Sequence, residues 1–450
     1  MPDVIAVLNG AAVLGFVVLI AFMYRSVAYR YLSLNLVVGQ LWALVSCLYL
    51  TTGQYTFELN VNTYQNLSPL SLAVYNSMFF AAAWMVLRRV SIAPAAQSES
   101  RGRGRAMDAL VIGVSVAAIG YLFSEFIQNG VPLFSGESRQ QFLFRVLLSS
   151  SAGRVVSGNV GTIALLLGTL TVKLHRALDW RGRRLRDAAV LLVLLLLAHQ
   201  VLAGNKFSSL FWICFSYLLP IALFVRLQRQ ALRRVLVAGG ATALLFGAIQ
   251  LAGMAYASSL NVSVASRVFV LQGELWWAVH DRVFSGEPGD AGQLHAEVTK
   301  ILSPSSTEET GVRHLMDRYG DPQLVVVMQL AAFTGGYPAI ALDVLGPWWT
   351  ALLQVAMGLL FGVICWLMVG YVRRAAYVRL YLVGTLFGLA NSVFVMGDMS
   401  DFFKLTTALK LLLLAGLELY TGLAARAGLL RVRRSQPSLG GAPPGNRFAT

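Results

Sequence analysis

Long apolar runs with scarcely a charge recur along this chain, and they fix the solvent in which it must fold. Stretches such as Val4 to Tyr24 and Ala188 to Leu202 are too long and too uniform for water-facing elements. In hydrocarbon every backbone N–H and C=O must be paired within the protein, so spanning segments are helices or strands of a closed barrel. Barrel strands would alternate apolar and polar residues over segments of about ten. These runs do not alternate, so the expected fold class is an all-α polytopic membrane protein. Charged residues make up only 13% of the 450, against about 25% in an average soluble domain.

Eleven spans are predicted. They are Val4 to Tyr24, Leu32 to Thr52, Pro69 to Leu87, Ala109 to Phe126, Val155 to His175, Ala188 to Ala203, Phe207 to Arg226, Val235 to Ala257, Trp348 to Tyr371, Val378 to Met396 and Leu405 to Ala425. No basic residue precedes the first run and Arg25 follows it, so it reads as a retained span with its N-terminus outside. The net charge of +15 would suggest nucleic-acid binding if it were spread evenly. It is not: apart from Arg139, Arg145, Arg154, Lys206, Arg267, Arg282, Lys300, Arg313, Arg318, Lys404 and Lys410, the 36 Lys and Arg fall in or beside every second inter-helix segment. By the positive-inside rule those segments are cytoplasmic, and no nucleic-acid partner is implied. An odd span count then puts the C-terminus inside.

One transmembrane domain is expected over 1–434, with outer loops at about 127–154 and 258–347 and a Pro/Gly/Ser-rich disordered cytoplasmic tail at 435–450. Cys47, Cys214 and Cys365 lie far apart within apolar runs and read as packing residues. The segment from Ser258 to Pro347 holds 10 of the 21 acidic residues and three of the five histidines. Nothing else in the chain is so polar for so long, which makes it the expected seat of the chemistry.

The eleven outer cations are the informative ones. An outer arginine can simply snorkel to water. Arg267 has a more specific setting, because Arg267, Glu274 and Asp281 recur every seven residues in SVASRVFVLQGELWWAVHDRVF and would share one stripe of an otherwise apolar helix. Such a stripe faces protein or a water-filled cavity, either as a functional site or as an internal salt bridge that orients the helix. Lys206 sits on the tight hairpin Gly204-Asn205-Lys206 and suits either an anion ligand or an interfacial anchor. Asp398, Asp401 and Lys404 read as a local ion-pair group. Among His280, His295 and His314, a single histidine is more often structural, but three in one outer loop make a functional one an even prospect. The sequence contains no D-x-D pair, Walker A loop or Cys/His cluster with metal spacing, so neither a metal nor a cofactor is called for. What remains is a set of outward-facing arginines and a lysine that would suit a lipid-attached phosphate or pyrophosphate.

NGVPLFSGESRQQFLFR, LAGNKFSSL, ASRVFVLQGELWW, HLMDRYGD and FTGGYPAIALDVLGP, in that order from about Ile127 to Met399, resemble the outer-loop motifs of the Wzy-type oligosaccharide repeat-unit polymerases, the O-antigen polymerase family of bacterial inner membranes. The resemblance implies a GT-C-like bundle with a large periplasmic loop, and a metal-independent glycosyltransferase. Such an enzyme would move a growing glycan from undecaprenyl pyrophosphate on to a second lipid-linked repeat unit, in lipopolysaccharide biosynthesis, with a chain-length regulator protein as a further partner. It implies pyrophosphate binding by Arg267, Arg282, Arg139, Arg145 and Lys206. The general base is left among His314, His280, Glu274 and Asp281, with His314 favoured because related ligases use a histidine late in the large loop. An O-antigen ligase, which shares the donor, and a transporter or flippase of lipid-linked oligosaccharides are the alternative readings.

Overall fold

The computed structural model describes residues 2–56, 58–90, 92, 103–135, 142, 145, 150–175, 179–204, 207–225, 270–287, 290–303, 309–327, 337–396 and 404–434. It divides into two compact units, 1–404 and 405–450. The second contains the helix Leu405–Arg434, described here by itself.

In the first unit the long helices are α1 (Pro2–Met23), α2 (Val27–Leu50) and α3 (Ser68–Leu87), followed by α4 (Arg103–Asn129). A short turn of helix, α5 (Pro132–Ser135), precedes α6 (Ser151–Gly158) and α7 (Val160–Leu174), and then α8 (Trp180–Leu202) and α9 (Phe207–Phe224). After Val270 come four short helices, α10 (Glu274–Phe284), α11 (Ala291–Leu302), α12 (Val312–Tyr319) and α13 (Pro322–Val327). The long α14 (Ala339–Arg374) and α15 (Tyr377–Met396) close the unit. Between α2 and α3 a small antiparallel hairpin pairs β1 (Tyr55–Thr56) with β2 (Val61–Asn62), Tyr55 opposite Asn62.

Among the described residues seven helices are long and apolar enough to cross a membrane, or eight if α6 and α7, bent by 50° at Asn159, form one span. These correspond to eight of the eleven expected spans. Helix α9 is apolar but shorter, the run from Val235 to Ala257 lies outside the described residues, and Leu405–Arg434 is helical.

Helices α1, α2, α3, α14 and α15 pack as one group and α4, α7, α8 and α9 as another, joined through α9 on α2 and α15 on α7. The tightest seam, α3 against α14, follows from sequence. Gly358 and Gly362 in GLLFG are four apart, so they share a face. A Cβ on Gly358 would run into the carbonyl of Phe79, and one on Gly362 would meet Val86 at 2.9 Å. Small residues at this spacing let two backbones approach closely, which is how helices associate where lipid supplies no hydrophobic drive. Polar links cross the same group. Asn35 donates to Asn391 at 2.9 Å and Asn76 to Gln40 at 3.0 Å.

One end of the unit carries a partly buried ion pair. Lys173 at the end of α7 reaches Asp108 at 2.6 Å, and the Tyr377 hydroxyl donates to the same oxygen at 2.9 Å. These are helix ends that the placement of basic residues assigns to a common side. The short helices gather at the other end, hereafter the loop end.

Replacing Gly358 by valine should force α3 and α14 apart and cost about 1–3 kcal/mol. The thermal unfolding midpoint of detergent-purified protein measures this, and an unchanged midpoint would show that the seam is not closely packed.

Candidate functional site

Helix α10 is pinned across the loop end by its tryptophans. The Trp276 indole donates to the Ser68 carbonyl at 2.8 Å, at the entry of α3, and the Trp277 indole to the Tyr64 carbonyl at 3.1 Å. Both rings are buried, and each desolvated aromatic contributes roughly 1.5–3 kcal/mol. The helix begins at Glu274, after turns at 270–273, so the seven-residue stripe holds for Glu274 and Asp281, while Arg267 lies outside the described residues. Both acids face the hairpin segment. Glu274 lies beside Glu58, and Asp281 accepts a hydrogen bond from Tyr64 that holds the tyrosine's pKa up at about 12.

A second group forms around a residue that the sequence did not single out. Helix α14 is broken near its start. Gly346 adopts φ +73° and Pro347 follows, so the stub 339–345 is set off from the long span. The carbonyl that loses the missing Pro347 N–H, that of Asp343, accepts instead from the Asp290 amide at 3.1 Å, while past the break Thr350 donates to the Gly346 carbonyl at 2.7 Å and Tyr75 to that of Pro347 at 3.1 Å. The stub carries Asp343, which is 0% exposed.

A carboxylate so deeply buried must be paired. Arg282 of α10 and the Tyr319 hydroxyl of α12 donate to Oδ1 of Asp343 at 2.9 and 2.7 Å. Oδ2 faces His314 Nε2 at 3.4 Å and Arg318 Nη1 at 3.7 Å, both one turn apart on α12. Arg318 also binds Asp290 at 2.7 Å, and the Asp290 amide donates to the Asp343 main-chain carbonyl at 3.1 Å. The Asp343 carboxylate thus ties α10 and α12 to α14, and its main-chain carbonyl together with Arg318 brings in α11. Arg282 reaches a further acid, Glu287, at 3.4 Å. Beside the cluster lies an open cleft of about 410 Å³, lined by Asn62, Tyr64, Trp277, Asp281, Arg282 and Tyr319 among others.

Of the predicted site residues, His314 and Arg282 meet at Asp343, and Asp281 lines the adjoining cleft with Arg282. Glu274 is fully buried, and desolvation together with the Glu58 carboxyl beside it pushes its pKa well up. His280 stacks on Phe284 at 4.5 Å, its Nδ1 buried without a hydrogen-bond partner, and burial lowers its pKa to about 4. His295 is exposed on α11 and Arg145 is exposed. Arg139, Lys206 and Arg267 lie outside the described residues, as do Asp398 and Asp401. Among the described residues no group of three or more His, Cys, Asp or Glu is placed to hold a metal ion.

Asp343, Arg318, Tyr319 and Asp290 are what reading the sequence missed. Arg318 was visible as an outer cation, and Asp343 sits inside FTGGYPAIALDVLGP, flanked by apolar residues on both sides. A single acid in an apolar run near a Gly-Pro break is the signal that would have found it.

A family model described as a family of unknown function, DUF6418, matches residues 305–411, a segment that includes His314, Arg318 and Asp343. No curated protein and no solved structure matches the chain.

The Glu58–Glu274 pair makes a pH prediction. The native state holds a proton that the unfolded chain gives up near its ordinary value of 4.5, so this pair destabilises the fold progressively as pH rises above that value. Glu274→Gln keeps the shape and removes the second acid. Its unfolding midpoint should exceed the wild type's at pH 7 and converge with it toward pH 4; parallel curves would rule the pair out as the cause.

Proposed function

We propose that this chain is a bacterial inner-membrane glycosyltransferase that polymerises undecaprenyl-pyrophosphate-linked repeat units into O-antigen or a related polysaccharide, with the loop end on the periplasmic side. The observation that carries the reading is His314 set against the buried Asp343, with Arg282 and Arg318 around the same carboxylate.

Glycosyl transfer needs three things from the protein. A hydroxyl of the acceptor repeat unit must lose its proton as it attacks the anomeric carbon of the donor glycan. His314 is assigned that proton, and Asp343 orients the ring and stabilises the imidazolium that forms. The bond from the anomeric carbon to the pyrophosphate oxygen breaks, and charge develops on the departing lipid pyrophosphate. Preorganised guanidinium donors stabilise such charge most where water is scarce. Arg282 suits this role because its contact with Glu287 is long and its partner exposed, so an incoming pyrophosphate can replace that carboxylate. Arg267, Arg139, Arg145 and Lys206 remain assigned to the pyrophosphate on the family resemblance. The cleft, with Tyr64, Asp281 and Tyr319, gives aromatic and hydrogen-bonding surface of the kind sugars bind.

Purified protein supplied with undecaprenyl-pyrophosphate repeat units should yield dimers and longer ladders. Turnover should fall by roughly 10²–10⁴ in His314→Ala. Asp343→Asn should lose activity and shift the pH–rate profile, and Arg267→Ala should abolish the ladder. Failure to extend a substrate that another polymerase extends would overturn the reading. Deletion separates polymerase from ligase, because loss of a polymerase leaves lipopolysaccharide capped with one repeat whereas loss of a ligase leaves none.

A further inference from the structure

Helix α11 has its polarity turned the wrong way for a helix packed on a protein in water. The described contacts on the side that meets the rest of the protein are polar. Asp290 caps its start, accepting from the Gln293 amide at 3.0 Å, while Gln293, 7% exposed, donates to the Glu309 carbonyl at 3.1 Å. Glu297 accepts from the Gly311 amide. Positions 290, 293 and 297 share one face at helical spacing.

The apolar residues lie elsewhere. Leu294, Val298 and Leu302 recur every four residues in a stripe about 80° wide, and they are 41%, 44% and 80% exposed. Water-facing helices do the reverse, burying the apolar stripe and exposing the polar one.

The neighbourhood says what the stripe meets. Helix α11 packs against α14, and immediately past the α14 break stand Trp348 and Trp349, 85% and 67% exposed, at the start of the long apolar span. Exposed tryptophans at the mouth of a span mark the depth of the membrane interface. Helix α11, which packs on α14, thus lies next to the start of a span marked at this depth. Exposed His295 borders the stripe, three residues before Val298 and seven before Leu302, and exposed Gly292 lies further round the helix, toward water.

We propose that α11 is an in-plane helix that inserts Leu294, Val298 and Leu302 into the lipid surface at the headgroup–acyl boundary. Its apolar stripe is bound by lipid and its polar face carries the Asp343 cluster through Asp290. The assignment does not depend on the glycosyltransferase reading. If that reading also holds, the cluster sits at headgroup level, where the phosphates of a lipid-linked substrate lie.

Spin labels decide it. Val298→Cys and Leu302→Cys, each in a Cys214→Ser background because Cys47 and Cys365 are buried, are labelled and reconstituted in vesicles of phosphatidylethanolamine and phosphatidylglycerol. Accessibility to oxygen is compared with accessibility to a water-soluble nickel chelate, using lipid-facing Val363→Cys and exposed Glu287→Cys as references. Both test positions should favour oxygen, as Val363→Cys does. Values matching Glu287→Cys would place the stripe in water, and low accessibility to both reagents would place it under protein; either overturns the proposal. Two independent positions and a monodisperse elution profile guard against a misfolded variant.

Discussion

Burying the carboxylate of Asp343 costs several kcal/mol unless cations and donors surround it, and the loop end is built around meeting that demand. Arg282 arrives from α10 and Tyr319 and Arg318 from α12, while Asp290 at the start of α11 holds Arg318 and the Asp343 main-chain carbonyl rather than the carboxylate itself. None of these helices is longer than 12 residues, and isolated helices of that length are marginal. Tertiary contacts must hold them, and apart from the tryptophans of α10 much of that contact runs through one acid. The same carboxylate lies 3.4 Å from His314 Nε2, so structure and proposed chemistry draw on one feature.

The sequence was legible where a single physical rule governs many residues. Uniform apolar runs gave the helices, because lipid leaves the backbone no alternative, and the polar stretch between Ser258 and Pro347 held the cluster. It was less legible where the outcome depends on pairing between distant segments. Glu274 read as a charged stripe residue but is fully buried against another acid, Glu58, more than 200 positions earlier. Only the family resemblance favoured His314 over His280, since residue type did not separate them. One turns toward Phe284 and the other toward Asp343, a difference set by tertiary packing. The single-helix reading of the Arg267 segment failed between Val270 and Gly273, where turns replace helix.

Helix association follows the rule that in lipid shape matters more than greasiness. Gly358 and Gly362 open a groove for α3, and Asn35, Asn76 and Gln40 supply hydrogen bonds between helices. With the Asp108–Lys173–Tyr377 group at the far end, the long helices are fastened separately from the loop end.

The break at Gly346 and Pro347 has a mechanical consequence. A bilayer that thickens or thins changes the tilt of a span that crosses it, and an unbroken α14 would carry that rotation straight to Asp343. A left-handed glycine followed by a proline interrupts the hydrogen-bond ladder and transmits little torque. The stub therefore takes its bearing from its own contacts with α10, α11 and α12 as well as from the long span, so the geometry around the buried acid depends less on the tilt of that span.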